Sequence, residues 1–143
     1  MSQQDKSSQY FDLIVEGLGY LDRVRLVRPE KGEPFWSCTV SALHGKAGNA
    51  GYTWFDCVVS GTRAKEIVRL LEPFVLREQK VLVGFRLADL HAEPFVFGRG
   101  ERKGEAGVNL RARLLSIKFA KVDGSEFALP AERPSKSRQP VAA

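Results

Sequence analysis

The sequence has few cysteines and no long apolar run. Only Cys38 and Cys57 occur in its 143 residues, each within an apolar, strand-like segment, so we expect two small buried thiols in a reducing compartment. Because no CxxC pair or Cys/His cluster supplies four metal ligands, we expect no metal site and no cofactor. No stretch approaches the roughly 20 apolar residues of a membrane helix, and the polar N-terminus lacks a signal-peptide core. We therefore expect a cytoplasmic protein.

The sequence also lacks a recognisable catalytic grouping. His44 and His91 are isolated from any carboxylate and nucleophile arrangement. The glycine-rich stretches at 45–51 and 98–107 do not have the Lys-Ser/Thr ending of a phosphate-binding loop. The acidic residues are scattered, without the spacing of paired catalytic carboxylates. We expect a protein that is not an enzyme.

What the sequence does have is the composition of one globular domain with an excess of positive charge. A domain of this length buries enough apolar surface to fold without disulfides or metal. The net charge of +5 and the pI of about 9.4 favour polyanionic partners. The polar ends predict a flexible N-terminal arm at 1–9 and a disordered basic tail at 129–143, with the folded domain at 10–128 between them.

Apolar and polar residues alternate in the manner of β-strands along most of the domain. We predict that Gly17 and Gly19 interrupt the first strand at a bulge or bend. After them, Tyr20, Val24 and Leu26 are expected to face one side. Five strands are predicted, at 11–27, 35–43, 52–60, 80–90 and 108–122.

The period changes to that of a helix between the third and fourth strands. An apolar stripe over 63–72 predicts an amphipathic helix. Thr62 is the expected N-cap, Glu66 lies near the capping-box position, and Pro73 is expected to end the helix. Five strands with one helix in this position predict an OB-fold, a five-stranded Greek-key barrel. A five-stranded barrel of another topology fits the same pattern.

Positive charge is concentrated around a predicted hairpin at 91–107. Seven lysines and arginines lie between Arg99 and Lys121. Arg111 and Arg113 are two residues apart on a predicted strand, so they point to the same side. Such cations can follow the phosphates of a nucleic acid. The alternative is an ordinary solvated strand face.

Several aromatic residues are candidates for stacking on bases. Trp54 shares a strand side with Asp56 and Ser60, so it lies on the more polar side of its strand and is available to a ligand, unless a loop or subunit covers it. Trp36 shares a side with Cys38 and Val40, which favours a core position. The hairpin residues Phe95 and Phe97 could clamp a base or anchor the hairpin to the barrel.

Several segments resemble known single-strand-binding proteins. The stretches TWFDCVVSG, AKEIVRLL and KVLVGF resemble the middle of bacterial single-stranded-DNA-binding proteins. From Phe11 to Val122 the chain also resembles the replication proteins of integrative and conjugative elements, a family of unknown function related to single-strand-binding proteins. The segments that carry this resemblance are GLGYLDRVR at 17–25, FDCVVSG at 55–61, KVLVGFR at 80–86 and AKVDG at 120–124.

The resemblance implies a role for individual positions. Trp54 falls where the single-strand-binding family has a base-stacking tryptophan, and His91 lies near a further aromatic position. Ser60 and Asp56 depart from the pattern, because the family often has an aromatic residue at the first position and a basic residue at the second. The family usually has an acidic, Phe-tipped tail that recruits partners, whereas residues 135–143 here are SKSRQPVAA, so we expect no recruitment by that route. The resemblance also implies that the protein forms a homo-oligomer, either a dimer or a tetramer.

Together these features predict non-catalytic binding of single-stranded DNA, with RNA as the other polymer that fits, during replication or transfer of a mobile genetic element. Replication proteins of the element are the expected protein partners. The alternative is an OB-fold protein-interaction module with weak or no affinity for nucleic acid. The residues predicted to bind are Trp54, Arg86, His91, Phe95, Phe97, Arg99, Lys103, Arg111 and Arg113.

Overall fold

The computed structural model describes residue 11 and residues 13–130, which form six strands and one α-helix. This confirms the prediction of a mostly-β protein whose helix lies between the third and fourth strands. A short 3₁₀ helix at Ala47–Asn49 precedes the third strand. In chain order the elements are β1 (Ile14–Val27), β2 (Phe35–His44), β3 (Gly51–Val59), α1 (Thr62–Leu76), β4 (Val81–Val96), β5 (Ala106–Val122) and β6 (Ser125–Phe127).

The strands form one sheet that closes on itself. Its order is β3-β2-β1-β4-β5-β6, and β3 also pairs with β5 in parallel, while the other pairings are antiparallel. Hydrogen bonds therefore link the first five strands in a ring, and β6 is a short addition to β5 that the sequence did not predict. Alternate side chains point inward and fill the interior, with Val40, Phe85, Leu87 and Leu114 all at most 1% exposed.

Helix α1 packs an apolar stripe on the core and is longer than predicted. Ala64, Ile67, Val68, Leu71 and Val75 are buried, and the last of them lies beyond the predicted end of the helix.

Both predicted ends of the helix were wrong. The helix runs through Pro73 to Leu76, because burial of Val75 outweighs the backbone hydrogen bond that the proline cannot donate. The predicted N-cap, Thr62, is instead the first helical residue. Gly61, whose positive φ of 95° suits a glycine, is the N-cap and makes no side-chain capping bond.

Strand β1 corrects the predicted role of its glycines. The strand passes through Gly17 and Gly19 without a break, and its register with β2 shifts later, between Asp22 and Arg25. Gly19 is required by close approach, since a Cβ there would lie 2.5 Å from the backbone oxygen of Ser41. The shift also breaks the predicted alternation, because it turns both Leu21 and Val24 inward.

The hairpin between β4 and β5 is longer and more regular than predicted. Strand β4 continues to Val96 and β5 begins at Ala106, so only 97–105 form the turn. At this end β4 is largely exposed, while β5 alternates between exposed and half-buried residues. We call residues 91–110 the hairpin arm.

The two cysteines lie opposite each other on β2 and β3 and are buried, free thiols, as predicted. A hydrogen bond with Cys57 and burial together raise the pKa of the Cys38 thiol well above its usual value. Buried, protonated thiols are poor nucleophiles, so a packing role fits them best.

The predicted N-terminal arm and the tail from 131 onward lie outside the described residues. Among the described residues, Leu129 packs against the core, and the Arg63 guanidinium donates a hydrogen bond to the backbone oxygen of Pro130 at 2.8 Å. Packing therefore reaches at least to residue 130. No helix in the described part of the chain is long and apolar enough to cross a membrane.

Candidate nucleic-acid interface

Three aromatic side chains form an open patch on the outer side of the sheet. Trp54 is 61% exposed and Tyr52 46% exposed. Their ring centroids are 6.3 Å apart with an interplanar angle of 31°. Tyr20 continues the patch at 6.4 Å from Tyr52. We call Tyr20, Tyr52 and Trp54 the aromatic face.

The register of three neighbouring strands positions this face. Tyr20 on β1 lies opposite Ser41 on β2, which in turn lies opposite Trp54 on β3. Tyr52 is two residues before Trp54 and therefore shares its side of the strand. The opposite side of β3 carries the buried Phe55. This confirms the prediction that Trp54 and Phe55 lie on different sides of the strand.

Two grooves flank the aromatic face, and Tyr52 and Trp54 line both. The first, which we call the arm groove, has a volume of about 490 Å³ and is lined by Asp22, Arg23, Thr39, Tyr52, Thr53, Trp54, Asp56, Val108, Asn109 and Leu110. The second, the helix groove, has a volume of about 590 Å³ and is lined by Tyr20, Leu21, Asp22, Ser41, Tyr52, Trp54, Val75, Glu78, Gln79, Lys80 and Val81. A planar ligand stacked on Trp54 would thus have space on either side.

A row of polar residues runs beside the aromatic face. Asp22 on β1 lies opposite Thr39 on β2, and Thr39 lies opposite Asp56 on β3. The Thr39 hydroxyl donates to Asp56 Oδ1 at 3.1 Å, and the backbone N–H of Arg23 donates to Asp22 Oδ1 at 2.8 Å. Each carboxylate therefore keeps a second oxygen available to a ligand.

Arg111 and Arg113 point outward on β5, as predicted, but both are paired with carboxylates. Arg111 Nε lies 2.9 Å from Glu93, and Arg113 Nε lies 2.7 Å from Asp89. About half of each side chain remains exposed, so solvent screens these pairs and their net stabilisation is small. A phosphate can still approach either guanidinium, but it must compete with the carboxylate already there.

Arg86 belongs to a separate charged cluster around Glu16. Its Nε lies 3.6 Å from Glu16, and Lys118 Nζ lies 3.0 Å from the same carboxylate. A hydrogen bond and charge attraction from Lys118, helped by the charge of Arg86, hold the pKa of Glu16 below its usual value. One carboxylate thus partly neutralises two cations.

The hairpin arm has its own aromatic packing. The rings of Phe95 and Phe97 meet edge to face at 4.8 Å, and both press on Gly107 across the hairpin. The Arg102 guanidinium lies 4.3 Å above the Phe97 ring. These contacts all lie within the hairpin arm, so the two phenylalanines stabilise the hairpin itself, and the predicted clamp and the predicted anchor to the barrel both stay predictions. Arg99 and Lys103 lie exposed in the turn.

The structure brings part of the predicted site together. Asp56, Arg111 and His91 occupy one row across β3, β5 and β4, next to the row of Trp54. His91 is exposed and its Nδ1 lies 2.9 Å from the Asp89 carbonyl oxygen. Of the nine residues predicted to bind, Trp54 alone lines either groove.

Several residues that line the grooves were missed in the sequence, among them Tyr20, Arg23, Tyr52 and Lys80. Tyr52 could have been found, because it has the same strand parity as Trp54. Tyr20, Arg23 and Lys80 depend on the register of β1 and on the packing of α1, which single-strand patterns do not contain. In the sequence, Trp36 was expected in the core, and it is half-buried against it.

Chemically, these surfaces offer flat π-faces, hydrogen-bond acceptors and a few cations. Among the described residues, no group of three or more His, Cys, Asp or Glu is placed to hold a metal ion. Fold and surface together define a mostly-β protein with a ring-closed sheet that exposes an aromatic face between two grooves.

The family is shown by comparison of the whole sequence. A family model described as "Protein of unknown function (DUF3577)" matches residues 4–136, and the chain belongs to this family. No curated protein and no solved structure matches the chain.

Proposed function

We propose that this protein binds single-stranded nucleic acid without catalysing a reaction, and that its closed sheet is an OB-type barrel. The observation that carries the proposal is the aromatic face, an exposed indole and phenol pair with a groove on each side. Stacking of a base on an aromatic side chain contributes about 1–3 kcal/mol. Contiguous exposed apolar surface of this kind often marks an interaction site.

The fold supports the OB-type assignment through its connectivity. Five strands bonded in a ring, with one helix between the third and fourth, match the arrangement expected of that barrel. OB barrels bind oligonucleotides on a strand face and on adjacent loops. In this protein the aromatic face lies on β1 and β3, and this strand face is the surface that we propose to bind.

Cations at both ends of the face support binding of a polymer rather than a free base. Arg23 lines the arm groove and Lys80 lines the helix groove, with Tyr52 and Trp54 between them. A single strand can lay its bases over the rings while its phosphates reach these side chains. A duplex keeps its bases stacked in its interior, so it cannot use the aromatic face. We therefore expect selectivity for single strands.

The biological setting is part of the proposal and rests on the sequence resemblance. Replication proteins of integrative and conjugative elements resemble this chain from Phe11 to Val122, which favours a role in replication or transfer of a mobile element. Cytoplasmic location, a homo-oligomeric state and partners among the element's replication proteins are predictions of the same kind. Light scattering of the purified full chain tests the oligomeric state.

A second candidate is docking of a protein segment on the same surface. The carboxylates of Asp22 and Asp56 beside Trp54 favour it, because they attract a basic peptide and repel phosphates. We expect this protein-interaction module to show no affinity for oligonucleotides even at low salt.

The test is a fluorescence-anisotropy titration with a mixed-sequence single strand of about 20 nucleotides, longer than the ~4–16 that an OB fold covers. The same sequence as a duplex is the control. We expect salt-sensitive binding of the single strand, weak binding of the duplex and a large loss in Trp54→Ala. Leu70→Ala, at an exposed position on α1, should bind normally. No affinity for the single strand at low salt would leave the protein-interaction module as the better account.

A further inference from the structure

We propose that Asp22 and Asp56 make the aromatic face selective for bases that present hydrogen-bond donors, with guanine preferred most and thymine least. This inference rests on the proposed function and names which single strands the site takes. It follows from the two rows that cross β1, β2 and β3 side by side.

The two rows of side chains are separated by about the width of a base. Tyr20, Ser41 and Trp54 form one row, and Asp22, Thr39 and Asp56 form the next. Side chains two residues apart on a strand are separated by about 6.6 Å. This separation is close to the width of a base. A base stacked on Trp54 can therefore direct one edge toward the Asp56 carboxylate.

The carboxylates of Asp22 and Asp56 can each accept a further hydrogen bond. Asp56 Oδ1 accepts from Thr39, and Asp22 Oδ1 accepts from a backbone N–H. Within the described part of the chain, neither carboxylate forms an ion pair. Arg111 lies opposite Asp56 in the β3–β5 register, but its Nε–H donates to Glu93 instead. The two remaining carboxylate oxygens can therefore accept from a ligand.

The four bases differ in the hydrogen-bond donors that their edges offer to a carboxylate. An ionised carboxylate only accepts hydrogen bonds. Guanine presents two adjacent donors, N1–H and the N2 amino group. Cytosine and adenine present one amino donor each. Thymine presents N3–H between two carbonyl oxygens that a carboxylate repels. Guanine is thus the best match, and thymine the worst.

The same carboxylates would weaken a site that bound only phosphates, because like charges repel. Base-edge recognition gives them a favourable role at a surface that is otherwise suited to nucleic acid. It also gives a physical meaning to Asp56, where the resemblance leads one to expect a basic residue.

The test uses single strands of equal length with alternating composition, d(TG), d(TC) and d(TA) repeats and oligo(dT), in lithium salt so that guanines do not associate. Since a good bidentate pair discriminates by about 1–3 kcal/mol, we expect d(TG) repeats to bind roughly 5- to 150-fold more tightly than oligo(dT). Replacing guanine by hypoxanthine removes the N2 amino group and should abolish most of the preference.

Matched variants assign the preference to a residue. Asp56→Asn should weaken binding of d(TG) repeats and strengthen binding of oligo(dT), because the amide can donate to thymine carbonyls. Asp22→Asn should act in the same direction. Glu126→Gln makes the same charge change on the exposed strand β6 and should leave the ratio of the two affinities unchanged.

The outcomes separate this inference from the proposed function. If oligo(dT) binds as tightly as d(TG) repeats, or if neither aspartate variant changes the ratio, the selectivity is wrong and single-strand binding stands. If no strand of any composition binds, the proposed function fails and the selectivity fails with it.

Discussion

The aromatic face and the hairpin arm differ in what their side chains already contact. On the aromatic face, the Tyr52 ring lies 6.3 Å from that of Trp54 and 6.4 Å from that of Tyr20, and both Tyr52 and Trp54 line two open grooves. On the arm, Phe95 packs on Phe97, which Arg102 covers. At its base, Glu93 holds Arg111. Both regions looked equally suited to nucleic acid in the sequence.

An aromatic or charged side chain is therefore available to a ligand only to the extent that neighbouring side chains do not already pack on it or pair with it. On the arm, Arg102 is paired with Glu105 and the two phenylalanine rings stabilise the hairpin itself, whereas Arg99 and Lys103 lie exposed in the turn. The rings of the aromatic face also have aromatic neighbours, but Tyr52 and Trp54 remain about half or more exposed beside two grooves. We therefore expect most of the binding free energy to come from the aromatic face, with the arm as a secondary contact.

The largest expected effect is at Trp54. Trp54→Ala should lower affinity for a single strand by roughly 5- to 150-fold, the equivalent of about 1–3 kcal/mol of stacking. Phe97→Ala should lower it less than threefold, because that ring stabilises the arm. Anisotropy titrations of both variants measure the difference, and circular dichroism checks their folding. A larger loss in Phe97→Ala would reverse the comparison.

The next effect is expected at Tyr52. Because its ring lies 6.3 Å from that of Trp54, it can extend the stack by one base. Tyr52→Ala should reduce affinity by about 5- to 10-fold, and Tyr52→Phe should retain most of it, since stacking needs the ring and not the hydroxyl. Equal losses in both variants, measured in the same titration, would assign the effect to a hydrogen bond instead.

A smaller effect of opposite sign is expected at Glu93. Glu93→Gln releases Arg111, so affinity should rise by about two- to threefold. The slope of log affinity against log salt should steepen by about 0.7 if the freed guanidinium contacts one phosphate. Glu101→Gln in the turn makes the same charge change and is the control. An identical rise in both variants would show only a change of net charge.

The smallest effect is expected in stability at low pH. The folded-state pKa of Glu16 is lowered, so its ion pairs stabilise the protein above the unfolded-state pKa, near 4.5, and this contribution is lost as pH falls through the folded-state value. At pH 7, Glu16→Gln should lower Tm slightly, and the difference from wild type should shrink toward pH 3. A difference that stayed constant with pH would exclude the Lys118–Glu16 pair as its cause.

Much of the fold could be predicted because it follows from local pattern. Strand alternation located five strands, and the change of period located α1. The buried and exposed sides of β3 were predicted correctly, as was the outward direction of Arg111 and Arg113 on β5. The errors arose where tertiary packing overrides local signals, as at Pro73 and at the register shift of β1. Strand β6 has three residues, too few for a pattern.

The site was less predictable, because it depends on which strands are neighbours. Trp54 was found from strand parity and from resemblance. Tyr20 joins it only through the β1–β2–β3 register, and Lys80 only through the placement of the loop after α1. The ion pairs of Arg111 and Arg113 are likewise tertiary, so the charge pattern overstated the cations that a phosphate meets unopposed.

The most direct test of the central claim is intrinsic tryptophan fluorescence in a Trp36→Phe protein, in which Trp54 is the only tryptophan. It would be titrated with the mixed-sequence single strand and then with the matching duplex. The account predicts strong quenching by the single strand, reduced by salt, and little quenching by the duplex. Tight binding of the single strand with unchanged Trp54 emission would contradict it, because the base would then lie elsewhere.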